Sequence, residues 1–404
     1  MQSFRDLLQL PRDCWTLAFA SFINRTGTMV TTFLVLFLKS RHEFTPDQAG
    51  TVYFLCGAAG VAASPFAGRL ADRFGPARMI RISLFASGAA LLVVPSLKSS
   101  LLAVGALAAF YALSELMRPA SLAAVSTMTP PEQRRTAYAL QRVAINLGTA
   151  FGSAAGGELS SRDLDLLFYV DGGTSWLALA VLLVLPFHAR NVASGGAPNA
   201  RGPLLPIDVL RDSRLSRALL ALWPSLVVFF LIVGPLAEFV TTTLEHGPET
   251  VGYLFTLNTL VIFFTEIPLN AWSNRLPHRT SIPLGAGLTA LGFGLYAFAA
   301  STPSLFAATL VWTVGEMILF PSMSDYVAEI APSDRRGAYM GWYSMTFGAA
   351  SMFGPLLGLR MLSHAPATAL WGAAASCGAL STLALYAVLR RADRDRLRAP
   401  DPAS

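Results

Sequence analysis

The chain has 404 residues, of which 53% are hydrophobic and only 13% charged, with a mean hydropathy of +0.51. Soluble proteins carry about a quarter charged residues, so most of this chain is expected to avoid water. The net charge of +6 does not point to nucleic acid, because the basic residues gather in short loops on one side.

Residues 1–12 carry charges and a proline but no separate apolar core with a cleavage site, so no cleavable signal peptide is expected. Apolar runs of membrane-crossing length, about 20 residues, begin near Cys14, Asp47, Ala77, Ser100, Gln133, Leu166, Leu215, Thr250, Thr280, Ser304, Arg336 and Ala367. The spacing predicts an all-α membrane protein with twelve transmembrane helices. Arginines cluster in alternate connections: Arg69, Arg73 and Arg78; Arg134 and Arg135; Arg211, Arg214 and Arg217; Arg275 and Arg279; Arg335 and Arg336; and the tail from Arg390. The other connections balance Lys39, Arg41 and Arg162 with acids. By the positive-inside rule both termini face the cytoplasm. The stretch SGGAPNARGP reads as a linker, which divides the chain into 1–189, a cytoplasmic linker at 190–214, and 215–404 with a short cytoplasmic tail. Cys14, Cys56 and Cys377 lie far apart in apolar surroundings and suggest neither a disulfide frame nor a metal site.

Between the second and third runs lies GRLADRFGPAR, Gly68 to Arg78, with Arg69, Asp72, Arg73 and Arg78 in one short turn. Gly68, Leu70, Ala71, Asp72, Arg73 and Gly75 match the pattern G-x-L-A-D-R-x-G, and the stretch resembles the loop between helices 2 and 3 of the major facilitator superfamily. It departs where Pro76-Ala77 stands in place of two basic residues. The resemblance implies two six-helix halves related by pseudo-symmetry. It also implies a cytoplasmic latch formed by Gly68, Asp72, Arg73, Gly75 and Arg78, with the carboxylate meeting the end of a neighbouring helix.

The two halves repeat. Glu115, Pro131, Arg134, Arg135, Ala137 and Tyr138 recur as Glu316, Pro332, Arg335, Arg336, Ala338 and Tyr339, each 201 positions on. Asp72-Arg73 recurs as Asn274-Arg275, and Gly156 as Gly358, each 202 positions on. Parallel repeats of this kind build a site near the membrane midplane at the repeat interface.

Charges inside the membrane are costly and mark function by default. Arg25 in the first helix, Glu115 and Arg118 in the fourth, and Arg142 in the fifth fall at comparable depth, with Asn24 and Asn146 beside them. One acid among three arginines invites a buried ion-pair network; the alternative is that Glu115 only neutralises Arg118 or Arg142 and fixes packing. Glu316, in WTVGEMILFPSMSD, has no basic residue at its depth in the sequence, so it is read as the main proton-carrying carboxylate. Glu115, Glu238 and Glu266 are the further proton-coupling candidates. Asn24, Arg25, Tyr111, Arg118, Arg142, Asn146, Trp312 and Tyr343 are the substrate-cavity candidates.

The fifth helix carries GTAFGSAAGG and the eleventh GAASMFGPLLG. Small residues every four positions let helices approach closely. The first also resembles the superfamily's antiporter motif, although Ser153 stands where that motif has proline and the Gly-Pro pair falls instead at Gly354-Pro355.

With GEMILFPS in the tenth helix, the resemblance is closest to bacterial drug/proton antiporters. It implies a monomeric, multi-pass carrier of the cell inner membrane that exports hydrophobic or amphipathic small molecules in exchange for protons, with no cofactor and no nucleic-acid partner. The alternatives are a carrier for an anionic metabolite or peptide held by Arg25, Arg118 or Arg142, and a non-transporting sensor on the same fold. No nucleophile–base pair, phosphate-binding loop or metal cluster suggests an enzyme.

Overall fold

The computed structural model describes residues 9–130, 133–188, 207–332 and 335–398. Its described elements are all helical, the form in which a backbone satisfies its own polar groups away from water. Among the described residues, twelve long runs emerge. They are α1 (Arg12–His42), α2 (Pro46–Phe74), α3 (Pro76–Val93), α4 (Ser100–Met128), α5 (Arg134–Arg162), α6 (Asp165–Val184), α7 (opening with Ser213–Phe229), α8 (Pro248–Ser273), α9 (His278–Leu295), α10 (Thr302–Ile330), α11 (Arg336–His364) and α12 (Ala367–Arg398). Each begins within two residues of the start expected from hydropathy. Among the described residues, eight runs are long and apolar enough by themselves to cross a membrane. Residues 189–206, which hold most of the linker expected at 190–214, the surroundings of Gly68 and the side chains of Asp72, Arg135 and Arg336 lie outside the described residues.

Local chemistry sets the boundaries. Thr45 and Gln48 form a reciprocal capping box at the start of α2, with Pro46 in its first turn. Gly75 joins α2 to α3 at φ 86°, a backbone angle that glycine adopts without a Cβ penalty, and Pro76 opens α3 where its missing N–H costs nothing.

Contacts divide the chain into two compact units, residues Met1–Leu204 with Leu236–Thr259, and residues Leu205–Pro235 with Leu260–Ser404. The first is built around Leu17, Ala20, Ile80, Leu84, Ala120 and Leu182. The second is built around Leu222, Leu226, Ile282, Leu319, Val327 and Leu385.

Three of the described helices are interrupted. α1 consists of Arg12–Gly27 and Val30–His42, and α4 loosens at Glu115 and Leu116. α7 passes through a 3-10 turn at Phe230–Ile232 and through Gly234 at φ 91°. It resumes as Pro235–Glu238 and ends in a π-turn at Phe239–Thr243.

In the second unit, Asp212 closes the start of α7. Its carboxylate accepts from the Arg214 backbone N–H at 2.8 Å, from the Arg214 guanidinium at 3.0 Å and from the Tyr339 hydroxyl of α11 at 2.9 Å. Burial pushes this carboxyl upward, but the hydrogen bonds from Arg214 and Tyr339 outweigh it and hold the group below the usual carboxylate range. A depressed folded-state value means that the stabilisation is complete above the unfolded value and is lost as pH falls through the folded one. Asp212→Ala is therefore expected to lower stability by about 1–2 kcal/mol at neutral pH, the usual cost of a lost N-cap. In thermal unfolding of the detergent-purified protein, the gap between parent and variant closes below about pH 4.

Candidate functional site

The break in α1 is closely packed by its neighbours. At Thr28 and Met29 the helix stops and restarts, which frees backbone N–H groups at the new beginning. Asp171 of α6 brings an acceptor to this place: its carboxylate lies beside the N–H groups of Met29 and Val30. Asp171 is 2% exposed, and its Oδ2 is buried with no hydrogen-bond partner. On the other side α5 presses against the same segment through glycines. A Cβ on Gly148 would stand 2.5 Å from the Phe22 carbonyl oxygen, and one on Gly152 would stand 2.8 Å from those of Arg25 and Thr26. Asn24 donates to Ser175 of α6 at 3.0 Å, and Gln141 of α5 donates to Ser21. The small residues of GTAFGSAAGG thus serve close helix approach.

Arg25, half-buried just before the break, lies within electrostatic reach of Asp171, Arg118 and Glu115. The expected buried network around Glu115 is corrected here. Glu115 and Arg118 are exposed, and no ion pair within 4.0 Å joins Glu115 to Arg25 or Arg118 among the described residues. The physical reason is the loosening of α4 at Glu115, which leaves that face open, with Gly60 of α2 as the packing neighbour at 3.5 Å from a Cβ position to Glu115 Cγ. Arg142 is also exposed, while Tyr111 and Asn146 are half-buried. The first unit therefore brings together Asn24, Arg25, Glu115 and Arg118, and adds Asp171, which hydropathy had hidden in the apolar run of the sixth helix. Its only sequence signal is a lone Asp in FYVDGGTSW.

In the second unit Glu316 of α10 is buried, 8% exposed, and is engaged by a neighbour. The sequence-based picture of a partnerless carboxylate does not hold. Trp312 is not a cavity residue here: it is 2% exposed, donates from Nε1 to the Tyr296 hydroxyl at 2.9 Å and stacks on Phe293 at 5.5 Å between centroids. One helical turn from Glu316, it belongs to an aromatic core between α9 and α10. Tyr343 is also buried, with its hydroxyl donating to the Phe320 carbonyl oxygen at 3.3 Å and its ring against Phe347. Glu266 is half-buried and engaged. A Cβ on Gly354 of α11 would stand 2.6 Å from Phe230 Cβ, and one on Gly358 would stand 2.5 Å from Pro235 Cγ, so α11 meets the α7 break through glycines as α5 meets the α1 break.

Glu238 belongs to the first unit. It is 3% exposed and receives Lys39 Nζ at 2.6 Å on Oε1, while Lys39 also donates to Thr242 at 3.1 Å. The short Pro235–Glu238 turn and the π-turn after it place this acid, a backbone form common at functional positions. Lys39 lies in the last turn of α1, where a cation is favoured. Nearby, Arg41 pairs with Asp165 and, at 3.6 Å, with Asp163. In the loop motif, Arg73 and Arg78 lie over the Phe74 ring at 5.3 and 5.8 Å; what Gly68 and Asp72 touch lies outside the described residues.

Comparison with known proteins adds three findings. A family model described as Major Facilitator Superfamily matches residues 17–245 and 220–403. Among curated proteins, the chain is 23% identical to a Na(+), Li(+), K(+)/H(+) antiporter of Planococcus maritimus, over 83% of this chain and 86% of that one. It is 27% identical to the multidrug resistance protein MdtH of Aeromonas hydrophila, over 59% of each. Among solved structures, the nucleoside transporter NupG superposes with a TM-score of 0.78 at 16% identity, covering 94% of this chain and 100% of that one.

The Lys39–Glu238 pair gives a direct test. Breaking a buried pair by removing one partner costs about 3–5 kcal/mol, and the 29% exposure of the Lys39 side chain places this pair toward the lower end. Lys39→Met is expected to lower thermal stability more than the double variant Lys39→Met/Glu238→Gln does, because the single change strands a buried charge. A double-mutant cycle with no coupling would show that the pair contributes nothing.

Proposed function

Because the chain belongs to the Major Facilitator Superfamily, we propose that it is a proton-coupled secondary transporter that exports hydrophobic or amphipathic small molecules by alternating access. The observation that carries this reading is the set of carboxylates buried in membrane-spanning helices. Asp171 lies at the α1 break with one oxygen unpartnered, and Glu316 lies inside α10. A carboxylate that alternates between dry and wet surroundings binds and releases a proton without any covalent step. The antiporter and multidrug resistance relatives support the exchange and export parts of the reading.

In this account Glu316 is the main proton carrier and Asp171 its counterpart in the first unit. Glu115, Glu238 and Glu266 play lesser parts. Asn24, Arg25, Tyr111, Arg118, Arg142 and Asn146 face the substrate, and the loop carrying Asp72 biases the alternation. A second reading rests on the exposed Arg118 and Arg142, which outnumber the exposed Glu115 among these residues and suit an anionic metabolite or peptide.

Reconstitution in liposomes with an imposed pH gradient separates these readings. Glu316→Gln is expected to reduce gradient-driven accumulation of a lipophilic cation to the level without a gradient, while downhill exchange remains. Glu266→Gln and Glu238→Gln are expected to keep most of the accumulation. Uphill transport by Glu316→Gln at the parent level would remove Glu316 from the coupling. Preference for an anionic substrate, lost in Arg118→Ala, would establish the second reading.

A further inference from the structure

At the end of the second unit where α7 begins, the helices leave a cleft of about 250 Å³ lined by Ser213, Arg214 and Arg217 of α7, Tyr326 of α10, and Val388 and Arg391 of α12. Its charge is unbalanced. Arg214 is matched by Asp212 at 3.0 Å, but no ion pair within 4.0 Å engages Arg217 or Arg391 among the described residues, and both are exposed. In a chain with so few charges, two guanidinium groups at one cleft without an ion-pair partner among the described residues concentrate positive charge there.

The wall running away from this rim is apolar. One turn along α7 from Arg217 stands Leu220, 74% exposed; along α12, at helical spacing from Arg391, come Ala387, Ala384, Leu383 and Leu380, the two leucines 65% and 68% exposed. A cationic rim continuous with an exposed apolar ramp matches an anionic amphiphile. Guanidinium forks pair with phosphate oxygens in bidentate geometry, and basic pockets between membrane helices suit phospholipid head groups.

We propose that this cleft binds the phosphate head group of an anionic phospholipid, with the acyl chains lying along Leu220, Leu380 and Leu383. Arg217 and Arg391 hold the phosphate, and the leucine ramp selects a lipid over a soluble phosphate ester. The site requires only that the chain spans a membrane and is independent of the transport reading.

The test uses the full chain in detergent, with native mass spectrometry and thermal unfolding as readouts. Phosphatidylglycerol is titrated against phosphatidylcholine and against soluble glycerol phosphate. Phosphatidylglycerol is expected to be retained and to raise the unfolding temperature, and the other two are not. Arg217→Ala and Arg391→Ala are each expected to weaken phosphatidylglycerol binding about fivefold, and the pair about 25-fold. Without lipid the variants unfold at the parent temperature, since neither arginine holds an ion-pair partner among the described residues. Equal retention by parent and double variant would overturn the proposal. So would glycerol phosphate binding as tightly as the lipid, which would make this a site for soluble anions, or phosphatidylcholine binding as tightly, which would remove the role of net charge.

Discussion

The constraint around which the first unit is arranged is the break in α1, with the buried Asp171 carboxylate set beside the backbone N–H groups of Met29 and Val30. A helix interrupted inside a membrane exposes donors that no water satisfies, at several kcal/mol for each unsatisfied group. α6 brings an acceptor, the Asp171 carboxylate, beside the break in α1, and α5, through Gly148 and Gly152, closes the other side. The acceptor is a titratable group. In the proposed transport cycle, a proton added to Asp171 removes the negative charge that faces the break in α1 and Arg25.

The repeat meets the same need differently in α7. There the interruption is made by Gly234 at φ 91° followed by Pro235, which brings no N–H to be satisfied. Gly354 and Gly358 of α11 seat against that segment as the α5 glycines seat against α1. The two breaks share a packing device and differ in chemistry, since a carboxylate lies beside one and a proline shapes the other. The repeat thus keeps helix packing while leaving the titratable group at the break to one half, and the buried acid of the second unit, Glu316, is carried inside an intact helix instead.

Periodicity and turn chemistry made the helices legible. The Thr45-Pro46 start, the Gly75-Pro76 turn and the glycine series at 148, 152 and 156 each have a local cause that sequence displays. What stayed hidden were the directions of side chains. Hydropathy treats the sixth run as uniformly apolar, so Asp171 passed unnoticed, although it is the most buried acid described. Depth counting set Glu115 among three arginines but did not reveal that α4 loosens at that residue and leaves it exposed. Trp312 and Glu316 are four residues apart on α10, and only the packing of α9 decides that the ring joins a core with Phe293 and Tyr296. The Lys39–Glu238 pair joins residues 199 positions apart beside a π-turn, so nothing local to either residue announces it.

The central claim is that Asp171, set at the break in α1, carries a proton, and the most direct measurement compares Asp171→Asn with Asp171→Ala. The asparagine keeps one acceptor oxygen at the break but does not titrate. The account predicts that Asp171→Asn unfolds close to the parent temperature yet loses substrate accumulation driven by a pH gradient in liposomes, whereas Asp171→Ala loses both. Accumulation by Asp171→Asn equal to that of the parent, at equal amounts of reconstituted protein, would contradict it.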